Sequence, residues 1–210
     1  MSQNDSRFKP MSIGRYTLSV VLLAFAGLLV SGMPAAANEA ENEADFAEFG
    51  GDVAYGEVLD DGRRTYSEAI ITQSVIFAAQ DREIGSRANP NIRPPGFFDL
   101  GDNRSRGHVI GRQLGGSGDV EANLVALFQN SANSPAMSNC ESAIAEYLED
   151  GLATGNDIYY RVEPFYDLTQ QQHPTAIRIF ASDNGEIVAD ITVENTPEAP
   201  ITFGEGNSLC

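Results

Sequence analysis

An α+β domain built on an antiparallel β-sheet is the fold class this sequence predicts, on three observations. Near the C-terminus, IYYRVEPFY, AIRIFAS and EIVADITVEN are runs rich in β-branched and aromatic residues, with Asp183-Asn184-Gly185 between the last two as a hairpin turn. Ahead of them, residues 108–148 read as strand, strand, helix. A chain of 210 residues, 42% of them hydrophobic, has enough apolar material for one folded domain with a real core. The sequence contains no internal repeat and no second domain boundary.

Residues 1–37 read as an export signal. Arg7, Lys9 and Arg15 precede an apolar run from Tyr16 to Met33, which ends in the small residues Ala35-Ala36-Ala37. The run is just long enough to span a bilayer as an uncleaved anchor, but the small-residue ending favours cleavage before Asn38. The expected product is a secreted or periplasmic protein of about 173 residues, free of the membrane. Its first part, residues 38–65, begins with NEAENEADFAEFGGD and is expected to be an acidic, mobile or loosely helical arm. The folded domain is then expected over residues 66–210.

Within that domain, YSEAIITQSVIFAAQ (66–80) is apolar without clean alternation, so its period fits a helix or a strand. Pro90, Pro94, Pro95 and neighbouring Gly and Asn residues make 86–104 a loop, with Gly96-Phe97-Phe98 as a short edge strand at most. His108 opens a strand-like segment, HVIGRQLGG, stopped by glycines, and Asn123–Phe128 supplies its partner. Ser134-Pro135 has the form of an N-cap and first-turn proline for a helix running to Leu148, with Gly151 as its stop. Cys140 and Cys210, the only cysteines, predict one disulfide in an exported chain.

Removing the signal takes away Arg7, Lys9, Arg15 and Asp5, which leaves 10 basic against 29 acidic residues, a net charge of −19, and no lysine. Such a surface repels polyanions at long range. The charge is uneven, however. Arg82, Arg87, Arg93, Arg104, Arg106 and Arg112 face only Glu83, Asp99 and Asp102 in the same stretch, and this basic stretch surrounds His108. It reads as a phosphate-contacting face on an acidic body, and a saline habitat would suit that composition.

Arg106-Gly107-His108 is the candidate centre. His108 stands at a loop–strand boundary, where a side chain can face a cleft. Downstream, Asn133 and Glu141 are eight residues apart, about two turns on one face if helical geometry begins at Asn133. A carboxamide oxygen suits Mg²⁺, which takes oxygen ligands, keeps several waters and needs few ligands from protein. The second histidine, His173, precedes a proline in a Gln-rich loop and is assigned no chemistry. There is no Gly-x-Ser-x-Gly elbow and no Cys/His zinc spacing.

Residues 104 to about 195 resemble the DNA/RNA non-specific endonucleases, enzymes with the ββα-metal (His-Me finger) motif. The resemblance rests on RGH at 106–108, NLV at 123–125, Gln129-Asn130 followed by Asn133, the Asn133–Glu141 separation, and the later YRVEPFY and hairpin pattern. It implies His108 as general base, Asn133 as metal ligand with Asn130 as the rival position, Arg106 as a phosphate contact, and Asn123 and Glu141 as supporting residues. It also implies Mg²⁺, with Mn²⁺ in its place as a variant, and DNA or RNA as substrate; Arg93 and Arg112, from the basic stretch around His108, are the candidate further phosphate contacts. A protein inhibitor is not indicated. Three departures stand out: Ser105 where the family carries Asp, an Asn123–Asn133 interval one residue longer, and Ala145 near the position of a family arginine. These departures define the alternative, an exported binding module of the same fold without activity.

Overall fold

The computed structural model describes residues 35–167, 172–198, 201–202 and 209–210. The expected export signal lies outside the described residues except for its last three alanines. In chain order the described strands are β1 (Asp52–Ala54), β2 (Ser67–Thr72), β3 (Arg104–His108), β4 (Leu124–Phe128), β5 (Asp157–Phe165), β6 (Ala176–Asp183), β7 (Glu186–Glu194) and β8 (Ile201–Thr202). Six of them form one antiparallel sheet in the order β1-β2-β5-β6-β7-β8, while β3 and β4 pair as a separate two-stranded sheet.

The long strands form because their side chains alternate. Along β5, Ile158, Tyr160 and Val162 are buried while Tyr159, Arg161 and Glu163 stay half-exposed. Ile177 and Ile179 of β6 and Ile191 and Val193 of β7 extend the same buried face. Phe46, Val75, Ile76, Ile144 and Leu148 join them in one core from three helices, α1 (Ala35–Glu48), α2 (Gln73–Asp81) and α3 (Ser138–Glu149). Full burial of each such side chain contributes about 1.5–3 kcal/mol. Cys140 in α3 is bonded to Cys210, so the expected disulfide ties the C-terminus to the core. A loop of 70 residues closed in this way restricts the unfolded chain by about 4 kcal/mol.

Several local readings differ from the structure. Of the mobile or loosely helical arm expected from residue 38, the first part is helical and belongs to α1, and what differs is that it is anchored, by fully buried Phe46, by Asn42 Nδ2 donating to Gly115 O and by Asn38 Nδ2 donating to Asp119 O. The ambiguous segment 66–80 is both candidates in succession. Its strand β2 ends at Thr72, whose hydroxyl accepts from Val75 N and caps α2. Gly96-Phe97-Phe98 lies in a turn, not a strand.

His108 closes β3 instead of opening a strand, because the backbone of Ile110 is taken by a side chain. Asn123 Oδ1 accepts from Ile110 N and Asn123 Nδ2 donates to Ile110 O, standing in for a strand neighbour. Ser134 does not cap a helix: it is extended (φ −144°, ψ 126°) inside an irregular helical segment, Gln129–Met137, and α3 starts only at Ser138. Asn195, just beyond β7, accepts from Phe128 N and donates to Ala126 O, which fixes the outer edge of β4 to the large sheet.

Candidate active site

Strand alternation puts Arg104, Arg106 and His108 on one face of β3. Gly107 between them is required by close approach, since a Cβ there would stand 2.3 Å from Leu127 Cδ1 and 3.0 Å from Asn133 Oδ1. The carboxamide oxygen of Asn133 therefore lies against the residue next to His108. Its other end is held by Nδ2 donating to Gln129 Oε1 at 3.2 Å, and among the described residues no donor is bonded to the oxygen. Asn130 is exposed at the first break of the irregular segment, its N–H donating to Asn103 Oδ1.

Three residues past His108, a Cβ on Gly111 would come within 2.4 Å of the Glu141 carboxyl. Asn133 and Glu141 thus bracket the short segment that carries the histidine. Glu141 is buried at 8% exposure and its Oε2 accepts from Gln113 Nε2 at 3.2 Å. Burial pushes its pKa up to about 8, against which the Gln113 hydrogen bond pulls down. Asn123 is wholly buried, with its amide spent on Ile110 and on Ser117 O, so it shapes the loop beneath the site without reaching into it.

His108 is half-buried, and its Nε2 lies 3.0 Å from Ser86 O. A carbonyl only accepts, so Nε2 carries the proton and Nδ1 keeps its lone pair. Loss of solvation lowers the imidazole pKa, the Ser86 bond raises it, Arg112 lowers it, and Asp119 raises it. The ring is accordingly neutral at neutral pH.

Ser86 is itself clamped. Its Oγ donates to Asp119 Oδ2 at 2.8 Å and accepts from Gly118 N at 2.9 Å, while Asn89 Nδ2 donates to Asp119 Oδ1 at 2.9 Å. Sequence reasoning missed Ser86 and Asp119. The first contributes a backbone carbonyl, which carries no residue signature; the second was signalled only as a lone acid in a glycine-rich loop.

The arginines gather around Phe97. The guanidinium of Arg106 lies 4.4 Å from the ring centroid, that of Arg104 5.5 Å and that of Arg93 6.0 Å. Arg106 is aimed by Nε donating to Ile92 O and Nη2 donating to Pro90 O. Its pKa is lowered, first by desolvation and then by the charges of Arg93 and Arg104. Arg112 is exposed on the turn after His108. His173 is buried, its Nδ1 3.0 Å from Pro174 O and its ring edge-on to Phe128, consistent with a packing role.

Among the described residues there is no cluster of three or more His, Cys, Asp or Glu side chains able to hold a metal. A centre built on a carboxamide is not such a cluster. The free Asn133 oxygen and the buried Glu141 carboxyl are hard oxygen donors of the kind Mg²⁺ accepts, so the residues present fit that ion. Among the described residues no helix is long and apolar enough to cross a membrane.

A strand–strand–helix unit with a histidine closing its first strand defines the ββα-metal nuclease class, and solved structures of that class share this fold. NucA from Streptococcus agalactiae with magnesium bound superposes with a TM-score of 0.55 at 18% identity, over 73% of this chain and 78% of that one. The same protein with no metal bound gives 0.53 at 17% identity over the same shares. Sda1 nuclease with bound zinc gives 0.50 at 16% identity, over 70% of this chain and 76% of its own. No curated protein is significantly similar in sequence. Residues 55–185 match the family of DNA/RNA non-specific endonucleases, and the chain belongs to that family.

Proposed function

We propose that this chain is an exported, divalent-metal-dependent endonuclease that hydrolyses phosphodiester bonds of DNA, RNA or both without sequence preference. The observation that carries the reading is His108, held neutral with its Nε2 proton committed to Ser86 O and its Nδ1 lone pair available. In this reading Nδ1 takes the proton of an attacking water as the water oxygen bonds to phosphorus and the P–O3′ bond breaks, the departing 3′-oxygen taking a proton from a solvent water. Asn133 would hold the metal through Oδ1, with Asn130 as the rival ligand, and Glu141 would support it. The chemistry a bound Mg²⁺ or Mn²⁺ supplies is Lewis-acid neutralisation of charge on the phosphoryl oxygens and the leaving 3′-oxygen.

Arg106, pre-aimed by Pro90 and Ile92 and joined by Arg93 and Arg112, would hold the phosphate. Contacts of this kind go to the backbone and not to base edges, which is the basis for expecting broad specificity. Export rests on residues 1–37, as does the secreted or periplasmic location. NucA holds magnesium and Sda1 zinc, which supports a divalent cation without choosing between Mg²⁺ and others.

The test is digestion of a supercoiled plasmid with Mg²⁺, with EDTA, and with His108→Ala. Cleavage should stop in EDTA and fall about 10²–10⁴-fold in the variant. Metal-independent cleavage, or cleavage indifferent to His108→Ala, would overturn the mechanism. No cleavage under any condition would favour the non-catalytic module, to which Ser105 and Ala145 point.

A further inference from the structure

The arginine cluster is built on an aromatic pair of which only one ring is needed for packing. Phe97 is buried with Leu100 and Ala126. Phe98 meets it edge-on, with centroids 5.3 Å apart and planes at 77°, and is 67% exposed, the most exposed large hydrophobic side chain among the described residues. Anchoring of the turn keeps it there. Gly96 lies so close to His173 that a Cβ would stand 2.5 Å from the His173 nitrogen, and Phe97 N donates to Pro94 O. The exposed ring is therefore fixed by its neighbours and contributes nothing to the core.

Its surroundings suit one kind of occupant. The Arg104 guanidinium lies 5.6 Å from the Phe98 centroid, and Arg93 and Arg106 stand over the neighbouring ring. Among the described residues these three cations have one ion pair within 4.0 Å, Arg104 with fully exposed Asp102 at 3.7 Å. Like charges converge here on a chain whose net charge is −17, which favours binding of an anion. Arg104 also shares the face of β3 with His108, four residues or about 13 Å away.

We infer that Phe98, flanked by Arg104, is a stacking subsite for an unpaired nucleobase of the strand being cut, whose neighbouring phosphates lie on Arg93, Arg104 and Arg106. The inference rests on the nuclease reading of the β3 face. A base inside a duplex has both π-faces covered by its neighbours, so a ring presented on a surface selects single-stranded or locally unpaired nucleic acid. Arginines that contact only phosphate leave the stack indifferent to base identity.

The experiment measures binding apart from cleavage. The His108→Ala chain in EDTA is titrated with a fluorescein-labelled single-stranded oligodeoxynucleotide and, separately, with the same strand annealed to its full complement as a blunt-ended duplex, and anisotropy is followed. Phe98→Ala in that background should weaken single-strand binding about tenfold and leave duplex binding within about twofold, and Phe98→Trp should restore it. Unchanged single-strand affinity, or equal loss on both probes, would overturn the subsite. The two readings fail separately. Plasmid cleavage by the unmodified chain with no effect of Phe98→Ala on binding removes the subsite alone, whereas Phe98-dependent binding without any cleavage removes the enzyme alone.

Discussion

At the scale of single residues, the candidate base depends on a carbonyl, and the carbonyl depends on an acid. Ser86 O receives His108, and Asp119 fixes Ser86 through Oγ while also holding Asn89. Asp119→Asn should act on both geometry and titration. Its negative charge raises the His108 pKa, so its loss lowers that pKa further, and the acid limb of the pH–kcat profile should move to lower pH. One weakened charge-assisted hydrogen bond corresponds to about 1.5–3 kcal/mol of lost positioning, so kcat at pH 8 should fall at least several-fold while KM stays put. An unmoved acid limb together with unchanged kcat would show that Asp119 does not act through the histidine. His108, Arg106, Asn133 and Glu141 could be nominated from the sequence because their residue types and spacing are themselves the signal, and the structure sets Asn133 and Glu141 against the segment that carries His108. Ser86 was not, since what it offers the ring is main chain.

At the scale of elements, legibility followed periodicity. The alternation of β5, β6 and β7 and the Asn184-Gly185 turn could be read directly, and the strands pair antiparallel as expected. Residues 66–80 could not, because one apolar stretch feeds two elements and the change of period falls at the capping Thr72. That the helix α1 is anchored was hidden by a polar composition in which Phe46 is the one fully buried aromatic side chain. The late start of α3 leaves Glu141 in its first turn, facing Gly111 and desolvated. That burial has a cost with a definite sign. A carboxyl whose folded pKa is about 8, against an ordinary 4.5, binds more protons folded than unfolded between those values, so stability is lost as pH rises from about 4.5 to about 8. Glutamine mimics the protonated acid. In EDTA, Glu141→Gln should melt with the unmodified chain near pH 4.5 and about 5–10 °C above it near pH 8, as read by circular dichroism. Equal melting temperatures at both pH values would show that Glu141 is not buried as a neutral acid.

At the scale of the whole molecule, the charge is divided between a body that repels nucleic acid and one strip that attracts it. Net charge is −17 for the full chain, and −19 once residues 1–37 are set aside, yet the three arginines nearest Phe97 converge on one turn. The two fields have different ranges. Repulsion from the dispersed carboxylates acts over a Debye length, about 30 Å at 0.01 M salt and about 10 Å at 0.1 M, whereas the guanidinium contacts act at hydrogen-bonding distance. Added salt therefore removes the long-range repulsion before it competes for the phosphate contacts. At fixed Mg²⁺, kcat/KM on a plasmid substrate should first rise between about 0.01 and 0.1 M NaCl and then fall as counterions displace the arginines. The melting temperature should climb over the first interval as self-repulsion within the acidic body is screened. Arg93→Gln with Arg104→Gln should leave the rising limb in place and reduce activity along the whole profile, because the dispersed carboxylates produce the rise and the arginine strip makes the contacts that later fail. A steep monotonic loss of activity from the lowest salt upward would mean that the strip outweighs the body at every range, and the acidic surface would then have no part in how this chain meets its substrate.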